Sequence, residues 1–160
     1  MKIITFLRHS KSSWDYNVSD IDRPLNEFGI NKIIQTAKSS ANHFSLSEII
    51  FTSPAIRALH TSIILSRELS IDSKKVKVCE DLYTFNYNDV LKFIKNINEN
   101  FSNVVLVGHN PAYTEINNHF SNNNILNLPT ARWFSLTFES ENWINIFSKN
   151  PILYQNNLKK

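Results

Sequence analysis

The sequence predicts a single α/β domain with a mixed, mostly parallel central sheet flanked by helices. Short apolar segments alternate with longer segments of helical periodicity, which is typical of parallel strands covered by helices. The length of 160 residues suits one domain with a substantial core and is short for two. The last two apolar segments follow each other closely, as the strands of an antiparallel hairpin do. We therefore expect residues 1–160 to form one domain.

The predicted strands are apolar segments that are short and rich in branched or aromatic side chains. They comprise Met1–Leu7, Glu48–Phe51, Val76–Val78, Val104–Val107, Trp133–Phe138 and Trp143–Phe147. The last two are expected to pair around Ser140 and Glu141 as a closing hairpin.

Apolar residues at helical spacing predict the intervening helices. These run from Asn26 to about Phe44, from Ser53 to about Leu69, from Asp89 to about Ile97, and onward from Pro111. In the second helix, Ser53 is expected as the N-cap and Pro54 as the first helical residue, because this pair is favoured at helix starts. Its expected inward-facing residues are Ile56, Leu59, Ile63, Ile64 and Leu65.

Composition argues against nucleic acids and membranes as partners. The net charge is only +3, and the longest basic runs are Lys74-Lys75 and Lys159-Lys160, whereas nucleic-acid binding needs a basic stripe. No apolar stretch approaches the roughly 20 residues that span a bilayer. The segment before Arg8 is too short for a secretory signal. A single cysteine, Cys79, excludes an intrachain disulfide and is compatible with the cytoplasm, where we expect the protein to act.

Several common phosphate and metal sites are also excluded. The chain has two glycines, Gly29 and Gly108, so it cannot form a glycine-rich phosphate loop. Cys79 is not followed by an arginine six residues later, because Phe85 stands there, which rules out a cysteine-based phosphatase loop. The five histidines lack the spacing of a metal site. Phosphate binding would therefore depend on arginines, histidines and helix N-termini.

Those groups are present where strands end. Arg8 and His9 follow the first predicted strand, and His109 follows the fourth. Arg57 lies in the first turn of the helix that begins near Ser53, where the helix dipole favours anions. Ligands of open α/β sheets bind at the carboxyl ends of strands. Two guanidiniums and two imidazoles would form a compact pocket for a phosphate dianion, within which a neutral histidine can attack phosphorus.

Four ordered motifs, with a fifth short segment, resemble the histidine phosphatase superfamily. They are LRHSKSSW, DRPLNEFG (Asp22–Gly29), SPAIRALHT (Ser53–Thr61) and VGHNPAYTE (Val107–Glu115), followed by NLPTA (Asn127–Ala131). Together they span about the first 130 residues and are most similar to the branch of SixA-like phosphohistidine phosphatases. The resemblance implies a three-layer sandwich of the phosphoglycerate-mutase-like type.

The resemblance also implies the roles of the candidate residues. His9 would be the nucleophile that becomes phosphorylated, and Arg8, Arg57 and His109 would complete the phosphate pocket. Neither a metal nor a cofactor is implied. One departure is Ser10, which replaces the glycine usual in Arg-His-Gly and which we interpret as tolerated variation.

The general acid is not identified by the motifs. Glu80 and Asp81 follow the third predicted strand, where many relatives carry a glutamate, and Thr84 stands where short-branch relatives can carry an acidic residue. Asp20, with Asp15 and Asp22, is a rival in the first loop. A phosphohistidine substrate can do without a strong acid, because its imidazole leaving group protonates readily near neutral pH.

Other noticeable residues are expected to be structural. The histidines outside the motif positions are His43, His60 and His119, and the tryptophans are Trp14, Trp133 and Trp143. Asp22 and Arg23 are expected to anchor the first loop through an ion pair or turn. Lys11 is expected either to add positive potential at the pocket or to face solvent.

The predicted function is a metal-independent phosphatase that transfers a phosphoryl group to His9 and then to water. Its expected substrate is phosphohistidine in a protein such as a phosphotransfer domain, because no long insertion between the motifs would cap the site. The alternatives are a phosphatase of a small phosphomonoester and a non-catalytic phosphate-binding module. The oligomeric state and the pathway are left open.

Overall fold

The computed structural model describes residues 1–158, so the basic pair Lys159-Lys160 lies outside the described residues. Its centre is a six-stranded sheet. The strands are β1 (Lys2–Arg8), β2 (Ile49–Thr52), β3 (Val76–Val78), β4 (Asn103–Gly108), β5 (Trp133–Phe138) and β6 (Leu153–Asn156), in the spatial order β3-β2-β4-β1-β5-β6.

The first four strands are parallel, whereas β5 runs antiparallel to β1 and β6 antiparallel to β5. Because β2, β4 and β1 are adjacent and parallel, their carboxyl ends meet at one edge. There Arg8 of β1 stands opposite Gly108 of β4. The sheet topology alone therefore brings three strand–loop junctions together.

Five α-helices cover the sheet: α1 (Glu27–Ser39), α2 (Ala41–Phe44), α3 (Ile56–Glu68), α4 (Tyr87–Lys95) and α5 (Ala112–Phe120). Short 3-10 helices span Asp20–Asp22, Ser73–Lys75, Glu80–Leu82 and Ile146–Ser148. The helix α1 starts after Asn26, whose side chain accepts a hydrogen bond from the amide of Gly29. The predicted helix from Asn26 to Phe44 is thus two helices separated at Ser40.

Alternate residues of the central strands enter two separate cores. On one face, Ile4 and Phe6 of β1 pack in a cluster with residues of α4 and α5. On the other face, Leu7 of β1 and Val105 of β4 pack in a cluster with residues of α1, α2 and α3. The sheet is therefore the middle of three layers, which confirms the predicted fold class.

The start of the second predicted helix was wrong. The helix α3 begins at Ile56, and Ala55 occupies the N-cap position without a side-chain hydrogen bond. Ser53 lies three residues earlier, fully buried, beside the end of β2. Two residues expected to face the core, Ile56 and Ile63, are each 39% exposed.

The predicted hairpin after Phe138 was also wrong. Residues 143–147 form no strand; Trp143 and Ile146 are fully buried from a loop and a 3-10 helix, whereas Ile144 is exposed. The Trp143 indole donates to the carbonyl of Phe101, and its backbone amide donates to the Glu99 carboxylate. The strand that pairs with β5 is β6, ten residues further along the chain than the predicted one.

Within residues 1–158, no helix is long and apolar enough to cross a membrane.

Candidate active site

The candidate site lies at the carboxyl edge of the three central strands. His9 follows β1, Ser53 follows β2 and His109 follows β4. Backbone hydrogen bonds from His9 to Gly108 and from Ser53 to Val107 hold the three junctions in register. The structure thus brings together the two histidines that the sequence places a hundred residues apart.

Arg57 is the centre of the cluster. It lies in the first turn of α3 and is only 2% exposed. Its Nε donates to Nε2 of His9 at 3.3 Å, and one Nη lies 3.5 Å from Nδ1 of His109. The guanidinium of Arg57 therefore contacts both imidazoles, at Nε2 of His9 and at Nδ1 of His109.

The tautomer of His9 is set by its own loop. Nδ1 lies 2.7 Å from the carbonyl oxygen of Ser10, which can only accept a hydrogen bond, so Nδ1 carries the proton. The lone pair is then on Nε2, the atom that faces Arg57. Burial, together with the charges of His109, Arg57 and Arg8, lowers the pKa of His9 to about 3, although the Ser10 carbonyl opposes the shift. His9 is therefore neutral at physiological pH with Nε2 unprotonated, which is the form in which an imidazole can act as a nucleophile.

His109 has the opposite arrangement. Because Arg57 can only donate, the lone pair of His109 lies on Nδ1 and the proton on Nε2, which donates to the Ser53 hydroxyl at 2.8 Å. Burial, followed by the charge of Arg57, lowers the pKa of His109 to about 3. The rings of Tyr83 and Phe85 lie edge-on to the imidazole at 5.6 and 5.4 Å between centroids. His109 is thus held in one orientation from several sides.

Arg8 extends the positive charge on the other side of His9. One Nη donates to the carbonyl oxygen of Leu128 at 2.7 Å, which fixes the direction of the side chain. Its Nε is buried and has no hydrogen-bond partner within the described part of the chain. Burial and the nearby charge of Arg57 both lower the pKa of Arg8. A bound oxyanion would supply the missing acceptor and offset the repulsion between the guanidiniums.

Asp20 enters the site as a carboxylate bound to Arg57. One Oδ accepts from Arg57 at 3.0 Å and from the Tyr83 hydroxyl at 2.6 Å, and the other accepts from Arg23 at 3.2 Å. Partial burial alone would raise the pKa of Asp20, but hydrogen bonds from Tyr83, Arg57 and Arg23 and the charge of Arg57 lower it to about 2. Asp20 is therefore ionised at neutral pH in the free protein, and its role as a proton donor stays a prediction.

The structure does not bring the other acid candidates to the cluster. Glu80 and Asp81 are exposed on a short 3-10 helix, and neither makes a hydrogen bond or ion pair with the candidate site among the described residues. Thr84 contacts Asp89, and the hydroxyl of Ser19 donates to Asp22. The role of Glu80 or Asp81 as a proton donor therefore stays a prediction.

Ser10 is directed away from the pocket. It is fully buried, its hydroxyl donates to the carbonyl of Gly29 at 2.6 Å, and its amide donates to the Thr61 hydroxyl at 2.9 Å. The side chain thus ties the loop after β1 to α1 and α3. Replacement of the usual glycine is thus accommodated by the packing between this loop and the two helices.

The remaining predicted residues are distributed around the structure. Arg23 pairs with Asp20 and not with Asp22. Lys11 is exposed. Trp133 and Trp143 are buried, whereas Trp14 is 74% exposed with the Arg23 guanidinium 3.7 Å from its ring centre.

The three other histidines lie outside the cluster. His43 stacks on Trp133 and lies within hydrogen-bond distance of Thr5, and burial lowers its pKa. The pKa of His60 is lowered by partial burial and by Arg67, and His119 is exposed beside Phe120.

The sequence did not predict that Ser53 and Tyr83 contact His109 or that the Leu128 carbonyl accepts from Arg8. Ser53 could have been found, because it ends an apolar strand as His9 and His109 do, but the serine–proline pair favoured an N-cap interpretation. The sequence held no comparable signal for Tyr83 or Leu128.

No group of three or more histidines, cysteines or acidic residues within the described ranges could hold a metal ion.

Two neutral histidines and two guanidiniums thus meet at the carboxyl edge of an α/β sheet, an arrangement that is typical of phosphate binding. The family model of the histidine phosphatase superfamily (branch 1) matches residues 4–103. The chain belongs to this superfamily, and this membership supports a phosphatase activity. No curated protein matches the chain.

Solved structures share the fold at low sequence identity. The SixA protein of Agrobacterium tumefaciens has a TM-score of 0.77 at 22% identity, covering 96% of this chain and 97% of that one. The protein histidine phosphatase SixA in complex with tungstate has a TM-score of 0.74 at 21% identity, with 98% and 94% covered. A mycobacterial glucosyl-3-phosphoglycerate phosphatase has a TM-score of 0.66 at 13% identity, with 99% and 98% covered. Phosphatases of different substrates thus share this fold.

Proposed function

We propose that the protein is a phosphohistidine phosphatase in which Nε2 of His9 accepts the phosphoryl group and passes it to water. The observation that carries the proposal is the hydrogen bond from His9 Nδ1 to its own loop, which leaves Nε2 unprotonated within a cationic cluster. The substrate class is inferred from the lack of a protonated carboxyl group in the cluster of the free protein.

In the first step, the lone pair of His9 Nε2 forms a bond to phosphorus while the bond from phosphorus to the leaving group breaks. The negative charge on the equatorial oxygens is stabilised by the guanidiniums of Arg8 and Arg57. His109 lines the pocket and holds Arg57 in place by accepting a hydrogen bond at Nδ1. The carboxylate of Asp20 competes for Arg57, so a bound phosphoryl group takes over hydrogen bonds that Asp20 holds in the free protein.

In the second step, water attacks the phosphorus and the bond to His9 Nε2 breaks, which releases inorganic phosphate. The departing imidazole returns to its neutral form with the proton on Nδ1, still donated to the Ser10 carbonyl. No other protein group has to change its protonation state for His9 to be regenerated. The same tautomer therefore serves both halves of the reaction.

The need of the leaving group for a proton favours one class of substrate over another. An alkoxide needs a proton from a general acid, but in the free protein Asp20 is ionised, and Glu80 and Asp81 are exposed and form no hydrogen bond with the described residues of the cluster. The imidazole of phosphohistidine protonates near neutral pH without help. A phosphohistidine carried on another protein therefore suits this site better than a phosphate ester of an aliphatic alcohol.

Rates on three substrates test the proposal: a phosphorylated phosphotransfer domain, an aryl phosphate and an alkyl phosphate. We expect hydrolysis of phosphohistidine to exceed that of the alkyl phosphate by at least about a hundredfold, the usual contribution of a general acid. Equal rates on the two would overturn the substrate class and favour a small phosphomonoester. No hydrolysis and no acid-labile label on His9 would indicate a non-catalytic phosphate-binding module.

A further inference from the structure

A cationic groove borders the candidate site on the side of Arg8. Two adjoining depressions of about 470 and 310 Å³ share the side chains of Lys32 and Arg132. Phe28 of α1 lines the first, and Asn127 and Pro129 line the second. We name these five residues the Lys32–Arg132 groove.

Among the described residues, the positive charge of the groove is not balanced by a lining carboxylate. Partial burial and the charges of Arg132, Arg8 and Lys11 lower the pKa of Lys32, which places four cations in one neighbourhood. The Nζ of Lys32 donates only to the Thr130 hydroxyl, at 3.2 Å. No aspartate or glutamate is among the described residues that line either depression. Lys32 and Arg132 therefore lack an anionic partner within the groove.

The groove is joined to the candidate site by a shared wall. The Asn127 carboxamide oxygen accepts from Asn110 at 2.8 Å and more weakly from Arg8 at 3.5 Å. The carbonyl of Leu128, the next residue, accepts from both Arg8 and Asn110. A molecule that delivers a phosphoryl group to Arg8 therefore lies directly beside the groove.

Exposed apolar side chains accompany the charges. Phe28 is 65% exposed with the Lys32 Nζ 5.9 Å from its ring centre, and Leu126 beside Asn127 is fully exposed. A phosphoryl group and one imidazole would be covered by the candidate site itself. Cations alternating with exposed apolar side chains outside it are instead typical of a surface that contacts a protein.

We propose that the Lys32–Arg132 groove binds an acidic segment of the phosphoprotein whose phosphohistidine is presented to His9. The proposal rests on the proposed function and adds to it the charge of the partner and the place where it docks. Carboxylates of the segment would pair with Lys32 and Arg132, while an apolar side chain covers Phe28. Since these charges lie beside the reaction centre, they would act mainly on substrate capture.

Two phosphohistidine peptides that differ only in flanking residues, glutamate in one and glutamine in the other, test the proposal. We expect the wild type to prefer the glutamate peptide in kcat/KM. Lys32→Gln and Arg132→Gln should each reduce this preference about two- to fivefold, the range for solvent-accessible ion pairs. Lys74→Gln is the matched control, since it removes the same charge on an exposed 3-10 helix before β3, at the opposite end of the strands.

Two results would overturn the docking proposal while leaving the proposed function intact: no preference in the wild type, or a preference that persists in both variants. Failure of the wild type to hydrolyse either peptide would instead count against the proposed function. Since each variant is compared on two peptides, a general loss of folding or catalysis cancels from the ratio. If one variant does not fold, the other decides the outcome.

Discussion

At the scale of single residues, the candidate site depends on which atom of each group carries a proton. The Ser10 carbonyl keeps the proton of His9 on Nδ1, and the Ser53 hydroxyl accepts the proton of His109 on Nε2. Arg57 donates towards the two remaining lone pairs. The two histidines thus have opposite tautomers: that of His9 leaves Nε2 unprotonated, as a nucleophile requires, and that of His109 leaves Nδ1 as an acceptor for Arg57.

Ser53→Ala tests the positioning of His109. Loss of the hydroxyl should lower kcat on phosphohistidine about tenfold, the equivalent of one hydrogen bond of about 1.4 kcal/mol. Ser62→Ala is the control, because this buried hydroxyl bonds only to the carbonyl of Ala58 within α3. In a His109→Ala background, Ser53→Ala should cause no further loss. A further tenfold loss there would show that Ser53 does not act through His109.

The low pKa values of His9 and His109 predict how stability depends on pH. Both are lowered in the folded state to about 3 from an ordinary value of 6.5, so between these values the unfolded chain binds more protons. The free energy of unfolding is therefore fully retained above pH 6.5 and falls as the pH decreases towards 3.

Thermal denaturation at several pH values measures this effect. His109→Gln should flatten the decrease of Tm between pH 6.5 and 4, because one of the two groups is removed. His119→Gln serves as a control, since this histidine is exposed. An equal slope in the His109 variant and the wild type would contradict the buried, neutral state of His109.

At the scale of elements, the site depends on the contact between the loop after β1 and the first turn of α1. Gly29 in this turn packs directly against the backbone of Lys11, so that an added Cβ would collide with the Lys11 carbonyl oxygen. The Ser10 hydroxyl and the amide of Asn26 hold the same contact by hydrogen bonds to Gly29 and Lys11. The glycine is thus required by close approach and not by backbone torsion.

We therefore expect Gly29→Ala to lower the free energy of unfolding, although alanine has a higher helix propensity than glycine. Alanine within a helix usually stabilises by up to about 1 kcal/mol over glycine. Here we expect a loss of about 1–3 kcal/mol from overpacking against a backbone carbonyl. Urea denaturation measures it, with Asn31→Ala on the exposed face of the same helix as the control. An increase in stability for Gly29→Ala would contradict the close packing of this loop.

At the scale of the whole molecule, the sequence predicted the parts whose signals are local. Strand ends at Arg8 and Gly108 were visible because an apolar run stops there, and a shared site was expected because ligands of open α/β sheets bind at the carboxyl ends of strands. The strand β6 was missed because it is an edge strand with largely exposed side chains. The apolar segment at Trp143 was predicted as a strand instead, because its buried aromatic side chain is also typical of strands. The position of Asp20 was unpredictable, since its partners Arg57 and Tyr83 lie 37 and 63 residues away.

Charge stabilisation by guanidiniums predicts that turnover needs no metal ion. Arg8 and Arg57 supply fixed positive charge at the position where a metal would neutralise phosphate oxygens. Dialysis against a chelator should leave kcat on phosphohistidine unchanged, with a zinc-dependent phosphatase as the positive control for chelation. A loss of activity that is restored by adding a divalent cation would contradict this prediction.

The most direct measurement is phosphorus NMR of the trapped phosphoenzyme, which distinguishes phosphate on Nε2 of a histidine from phosphate on Nδ1. We predict one phosphoryl group per chain, on Nε2 of His9, and no signal from His9→Gln. His60→Gln should retain it, since His60 lies outside the cluster. Phosphate on Nδ1, on another residue, or turnover by the His9 variant would contradict the account.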